Sequence, residues 1–153
     1  MNQRQKSILR NVVFVFAVTA IFVTAMVNVK DLINKSEAIR AMELLAQQVT
    51  QYRAKNHSTP PESYLLGQYE NLGIVRLGDL NYRAQWISYE SEPGTILAYA
   101  KKNYQFLVKR GYIVMFLDGR VEWMRPKEFK KLLKEHQTQA ELDILQKLDP
   151  TKF

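Results

Sequence analysis

The side chains that most often carry chemistry in proteins are few and scattered in this sequence. Its two histidines are His57 and His136, and it has no cysteine, which excludes disulfides, thiolate metal sites and a cysteine nucleophile. Neither histidine has a second ligand at the spacing of a metal site, because Glu135, the neighbour of His136, points elsewhere on a helix. We therefore expect no metal site and no cofactor.

Carboxylates and hydroxyls offer a second chemistry, that of a general acid or a nucleophile. Glu122 lies near Arg120, and Glu90 and Glu92 lie in another segment. A general acid needs a cleft and a perturbed pKa, and nothing in the sequence indicates either. A nucleophile motif is missing around Ser58, Ser63, Ser88 and Ser91. We interpret the carboxylates as exposed strand charges and expect the protein not to be an enzyme.

Four lysines near the C-terminus have the spacing of a single helix face. They occupy positions i, i+3, i+4 and i+7 and are Lys127, Lys130, Lys131 and Lys134. Such a face is most often simply solvated. The functional alternative is docking to anionic lipid headgroups or to an acidic partner, where each basic residue contributes about 1 kcal/mol near an anionic surface. Both interpretations stay open.

The positive charge of the chain is concentrated at its N-terminal end. The net charge is +7, from 22 Lys and Arg against 15 Asp and Glu, yet residues 1–30 hold four basic residues and no acid. The rest is only mildly basic. Tyr104 and Phe106 lie among basic residues, as on a nucleic-acid surface. An exported domain argues against that use, and we expect no nucleic-acid partner.

The elements that position these residues begin with an apolar segment at residues 12–29. It holds no charge, no Pro and no Gly. Its 18 residues span about 27 Å as a helix, close to the thickness of the bilayer hydrocarbon. Arg4, Lys6 and Arg10 precede it, and such flanks stay cytoplasmic. We expect a single-pass anchor in a bacterial inner membrane, with residues 1–11 cytoplasmic and the C-terminal domain periplasmic.

A cleaved signal peptide is the alternative to a retained anchor. Val23–Ala25 offers small residues at the −3 and −1 positions, after an apolar region of about a dozen residues. Apolar residues continue through Met26, Val27 and Val29, with no helix breaker before the potential cleavage site. This continuation favours the retained anchor.

The helix is predicted to continue past the anchor, over residues 30–55, because no Gly or Pro interrupts it. Apolar residues recur there at steps of three, four or seven, which predicts an amphipathic helix. We expect the sheet of the same chain to cover this stripe, which comprises Ile39, Met42, Leu45, Val49 and Tyr52. The Pro60–Pro61 pair ends the helical segment.

A loop and an antiparallel sheet are predicted at residues 56–125. Gln85–Glu90 and Thr95–Ala100 flank the turn Pro93–Gly94 and predict one hairpin. Asp118 and Gly119, between two β-rich runs, predict a second hairpin.

The second hairpin is predicted to have a two-residue type I′ loop. Phe116 then faces Val121 and Val114 faces Trp123, which gives one strongly apolar face. A C-terminal helix is predicted at 126–148, with a possible break near Thr138. The expected fold class is α+β, with a long N-terminal helix packed on a small antiparallel sheet and closed by the C-terminal helix.

This arrangement resembles that of type IV pilins and type II secretion pseudopilins. A basic start, an apolar span and an unbroken amphipathic helix are followed by a proline-containing loop. The run Asp118-Gly119-Arg120-Val121-Glu122 is similar to the terminal hairpin of pilin-like proteins common in planctomycetes, which reads Asp-Gly-His-Val-Glu. Prepilins carry a Gly before the cleavage site and a Glu five residues after it, and Ser7–Val12 contains neither. The resemblance implies a pilin-like fold on a permanent anchor.

The resemblance and the anchor together suggest a function. We expect a non-enzymatic, membrane-anchored, pilin-like structural component of a cell-envelope or secretion assembly. Its expected partners are the lipid bilayer and other protein subunits, in a homo- or hetero-oligomer. Ala17, Ala20 and Ala25 are small enough to allow anchor helices to approach closely. The alternative is a monomeric anchored binding module that recruits a soluble partner.

Overall fold

The computed structural model describes residues 2–67, 73–104 and 109–148, and it has an α+β fold. Two helices precede a four-stranded sheet, and two more follow it. The elements in chain order are α1 (Gln3–Asn56), α2 (Glu62–Leu66), β1 (Leu80–Tyr82), β2 (Ile96–Lys102), β3 (Gly111–Phe116), β4 (Val121–Met124), α3 (Pro126–His136) and α4 (Gln139–Leu148). Short 3-10 helices occupy Ile74–Leu77 and Ala84–Trp86.

Helix α1 confirms the predicted continuous helix, since it runs for 54 residues. It ends at His57, whose left-handed backbone lets its N–H donate to the Arg53 carbonyl at 2.9 Å. Side chains from residue 2 to Met26 are exposed, and burial begins at Val27. Within the described residues this is the one helix long and apolar enough to cross a membrane, and it is compatible with a single-pass anchor.

The sheet forms the middle layer of the domain, with strand order β1-β2-β3-β4 and all neighbours antiparallel. The amphipathic half of α1 packs on one face, which confirms the predicted covered stripe. Met42, Leu45 and Val49 are buried there together with Ile113 and Met115 of β3. The outer members of the stripe, Ile39 and Tyr52, are half-buried.

The opposite face of the sheet is covered by α3. Ile96, Val114 and Phe116 are buried with Phe129 of that helix. The Phe129 ring stacks on Tyr112, with 3.9 Å between the ring centroids. Strand β3 is therefore enclosed from both sides, which explains its nearly continuous apolar sequence.

The predicted two-residue loop of the second hairpin is wrong. Met115 pairs with Val121 and Ile113 pairs with Trp123. The Phe116 N–H donates to the Arg120 carbonyl at 2.9 Å, which leaves three residues, Leu117 to Gly119, in the loop. Gly119 has a φ of 86°, as expected for a type I turn followed by a left-handed residue. A shift of one residue in the pairing of β3 with β4 moves side chains to the opposite face of the sheet. The residues predicted to face Val121 and Trp123 therefore lie on the face that α3 covers.

Helix α1 explains why the longer loop is adopted. The Leu117 carbonyl accepts a hydrogen bond from the Arg53 guanidinium, which holds the loop against the helix. A Cβ at Gly119 would come within 2.9 Å of the Thr50 hydroxyl oxygen, so the contact requires glycine.

One further boundary differs from the predictions, and another is confirmed. The first hairpin pairs β1, not Gln85–Glu90, with β2, because residues 84–87 turn inward and bury Ile87 in the core. The break near Thr138 in the predicted helix 126–148 is confirmed, since this segment forms two helices, α3 and α4. Thr138 separates them, because its hydroxyl accepts a hydrogen bond from the Glu141 N–H at 3.3 Å and starts a new helix.

The packing of α1 on the sheet generates a stability prediction. Leu45 is 0% exposed, and Leu45→Ala should lower the free energy of unfolding by about 2–5 kcal/mol through lost burial and a cavity. The neighbouring Leu44 is 38% exposed, and Leu44→Ala is the matched control with a smaller expected effect. Urea unfolding of the full chain in detergent, followed by tryptophan fluorescence, measures both. Equal effects of the two substitutions would contradict the packing.

Candidate functional site

The four lysines proposed from the sequence lie on α3 and are all exposed: Lys127, Lys130, Lys131 and Lys134. Phe129 is buried on the sheet, so this helix presents its basic side chains to solvent and its apolar side chains to the core. None of the ion pairs among the described residues involves these lysines. Their charges are available to an anionic partner.

Asp118 and Gly119 lie in the loop at the end of the sheet farthest from the anchor. The Asp118 carboxylate accepts hydrogen bonds from the N–H of Arg120 at 2.9 Å and from its Nε at 3.3 Å. Arg120 also contacts Glu122 at 2.8 Å. These contacts stabilise the turn and satisfy the carboxylate, which gives the pair a structural role.

The two histidines are not brought together. His57 is exposed just beyond the end of α1, whereas His136 ends α3 against the sheet. Among the described residues, no group of three or more His, Cys, Asp or Glu side chains is placed to hold a metal ion.

The fold buries an ion pair that the sequence analysis missed. Arg83 and Glu141 are 3% and 2% exposed. The guanidinium donates from Nε to Oε1 at 2.8 Å and from Nη2 to Oε2 at 2.7 Å, a bidentate contact. Glu141 belongs to α4 and Arg83 follows β1, so the pair attaches the last described helix to the sheet.

Arg83 makes two further hydrogen bonds. Nη1 donates to the Ile96 carbonyl at 2.6 Å and Nη2 to the His136 carbonyl at 2.8 Å. A buried pair hydrogen-bonded in this way holds α4 and the sheet together. The sequence signal that was available is Thr138-x-x-Glu141, a helix-start pattern, although the Glu141 side chain binds Arg83 instead of its own helix end.

His136 belongs to the same cluster. Its Nδ1 accepts a hydrogen bond from the Ile96 N–H at 3.2 Å, which requires the neutral imidazole. Burial and then the positive charge of Arg83 lower the pKa of His136 from its ordinary value of 6.5, while Glu135 and Glu92 oppose the shift.

The anchor half of α1 carries a stripe of small and polar residues on the face that continues into the buried stripe of the domain. Spacings of three or four residues place Ala17, Ala20, Thr24 and Asn28 on this face. The Thr24 hydroxyl donates to the Ala20 carbonyl at 2.8 Å, and the Asn28 amide donates to the Thr24 carbonyl at 2.9 Å. Such a stripe allows close approach of a second helix.

Comparisons of this chain with protein-family models, with curated proteins and with solved structures find no match.

The buried ion pair generates a second prediction. Glu141→Gln leaves the Arg83 charge buried without compensation, and it should lower the free energy of unfolding by about 3–5 kcal/mol. Glu122→Gln removes the same charge from the exposed pair with Arg120 and should cost less than about 1 kcal/mol. Urea unfolding in detergent compares the two. A Glu141→Gln protein as stable as Glu122→Gln would show that the pair is not buried in solution.

The lowered pKa of His136 generates a third prediction. Below pH 6.5 the unfolded chain takes up a proton that the folded chain resists. The contribution of His136 to folding stability is therefore fully present above that pH and is lost as the pH falls. His136→Gln should reduce this loss between about pH 7.5 and 5.5. His57→Asn is the control and should keep the wild-type dependence. The same pH dependence in all three proteins would exclude His136 as its source.

Proposed function

We propose that this chain is a membrane-anchored, pilin-like structural component of a cell-envelope or secretion assembly, without enzymatic activity. In this proposal α1 spans a bacterial inner membrane once. The N-terminus is cytoplasmic, the domain is periplasmic, and neighbouring subunits contact one another laterally through their α1 helices.

The observation that carries the proposal is the continuity of α1. One helix exposes apolar side chains over its first half and packs its second half into the core of the domain. A module tethered to the membrane only for localisation needs no such rigid connection and works with a flexible linker. A subunit of an ordered assembly benefits from it, because the position of each anchor then sets the position of each domain.

The stripe of Ala17, Ala20, Thr24 and Asn28 supports lateral contact through the anchor. Lipid tails offer no hydrophobic driving force for helix association, so close packing at small residues and weak polar contacts must stabilise it. In pilins a buried Glu compensates the free amine of the neighbouring subunit. Residues 12–18 hold no acid, so assembly of this chain would depend on packing.

The buried charges of the domain support a structural role. Arg83 and Glu141 satisfy each other and hold α4 to the sheet, with no substrate-accessible group left over. Catalytic carboxylates and bases need a cleft and a perturbed pKa, and this pair is closed to solvent.

An anchored binding module is the second candidate, and the exposed lysines of α3 favour it. Four cations on one accessible helix face fit an acidic soluble partner. A monomeric protein that recruits such a partner needs no contact between anchors, and this difference separates the two functions.

Cysteine crosslinking in membranes tests the structural proposal, because the natural chain has no cysteine. Single cysteines at positions 17, 20, 24 and 28 should give disulfide-linked dimers. Cysteines at positions 15, 22, 26 and 29, on the opposite face, are the matched controls and should give few. The intact mass of the same samples shows whether the N-terminal segment is retained.

Each outcome of this experiment has a defined meaning. Crosslinks confined to the stripe support assembly through α1. A monomer with no crosslinks on either face would contradict the structural component and favour the binding module. A mass that begins at Met26 would contradict the anchor itself, since cleavage after Ala25 removes most of the apolar segment.

A further inference from the structure

A small basic pocket lies between the end of β2 and the start of α3. Its volume is about 160 Å³. Three cationic side chains line it, Lys101, Arg110 and Lys130, together with Asn103 and Tyr112. Lys130 is the one member that also belongs to the lysine face of α3.

The pocket is rich in positive charge. Among the described residues, no carboxylate lines it and none of its three cations makes an ion pair. The pocket also has a firm wall, because the Tyr112 ring stacks on the buried Phe129. Converging cations on a packed wall suit a compact anion such as a phosphate group.

The register of the sheet places the pocket at the end of the domain nearest the anchor. Lys101 pairs with Tyr112, and the next pair along, Lys102 with Gly111, is the last of the β2–β3 ladder. At this end the Lys35 ammonium lies 4.3 Å from the centroid of the Trp123 ring. At the other end Arg53 contacts Leu117. Along α1, Lys35 lies closer to the anchor than Arg53 does. The end of the sheet next to Lys35 is therefore the end nearer the anchor.

The distance to the anchor is short. The apolar segment ends at Val29, and Lys35 is six residues farther on, about 9 Å along a helix. The polar headgroup layer adds several ångströms beyond the hydrocarbon, and long Lys and Arg side chains extend toward it. Because α1 enters the domain without a break, this end of the sheet stays close to the end of the apolar segment.

We propose that this pocket binds the phosphate of an anionic phospholipid in the bilayer that holds α1. The inference rests on the membrane anchoring in the proposed function and names a lipid partner for the domain. Lys101, Arg110 and Lys130 contact the headgroup, and the contact fixes the domain on the membrane surface. An acidic protein would have to enter between the domain and the bilayer, which makes the lipid the better fit.

Helix α3 provides a matched control for this site. It starts beside the pocket and runs away from the anchor, since His136 at its end contacts Ile96 at the far end of the sheet. Lys134 is one turn beyond Lys130, about 6 Å farther along α3 in the direction away from the anchor. Lys55 is exposed near the far end of α1. The pair Lys55 and Lys134 therefore matches Lys101 and Lys130 in charge but not in position.

The test is an NMR titration of the full chain in micelles of a neutral detergent. Dihexanoyl phosphatidylglycerol, dihexanoyl phosphatidylcholine and inorganic phosphate are added separately, and the amide signal of Gly111 in the pocket is followed. Phosphatidylglycerol should shift this signal to saturation. Lys101→Gln/Lys130→Gln should weaken that binding by about tenfold or more, whereas Lys55→Gln/Lys134→Gln should leave it within about twofold.

Three results would overturn the inference. An unshifted Gly111 signal with phosphatidylglycerol excludes the site, and equal weakening by the two double variants reduces it to general charge attraction. Inorganic phosphate that binds as tightly as phosphatidylglycerol assigns the pocket to a free anion. The dispersion of the remaining amide signals shows that each variant is folded.

The outcome is separable from that of the proposed assembly. A protein that binds phosphatidylglycerol at Gly111 yet gives no crosslinks between anchors contradicts the structural component and leaves the lipid site standing. Crosslinks on the stripe without lipid binding would support the structural component and contradict the lipid site.

Discussion

The structure depends on one constraint, which is that α1 must satisfy its backbone in two different surroundings. In hydrocarbon every N–H and C=O has to be paired within the helix, because no water is present to replace a lost hydrogen bond. The sequence meets this demand with no Gly or Pro from Val12 to Ala54, and it keeps the same helix inside the domain. The domain is thus joined to the apolar segment by one continuous helix, which sets the position and rotation of the sheet relative to that segment.

The sheet packs against α1 and forms the folded domain with it. With α1 on one face and α3 on the other, β3 contributes side chains to both apolar layers, and the short strands gain an order that an isolated hairpin would lack. The loop from Leu117 to Gly119 closes the sheet against α1 through Arg53. One end of the sheet is therefore fixed near the end of α1 and the other near the anchor, where the basic pocket lies.

The buried pair of Arg83 and Glu141 completes the domain, and its burial costs desolvation free energy. Removing two charges from water is unfavourable, and the bidentate contact together with the two carbonyl acceptors offsets that penalty. The pair makes the position of α4 on the sheet specific, because Glu141 meets Arg83 in only one placement of this helix.

Local sequence patterns predict the features that lie within one element. The apolar N-terminal segment, the length of α1, its covered stripe and the shared face of the α3 lysines all follow from the spacing of apolar and charged residues along one element. The α+β class follows from the change of period after residue 56. These features need no knowledge of distant contacts, because a helix face is fixed by residues three or four positions apart.

Contacts between residues far apart in the chain are set by the tertiary structure. The loop of the Asp118-Gly119 hairpin was predicted one residue too short, because its register is set by contacts with α1, more than 60 residues away. Arg83 and Glu141 are 58 residues apart, and neither segment indicates its partner. The basic pocket combines β2, β3 and α3, so it exists only after the sheet has formed. Local periodicity indicates which side chains are buried. Which of these side chains contact one another depends on how the helices and the sheet pack together.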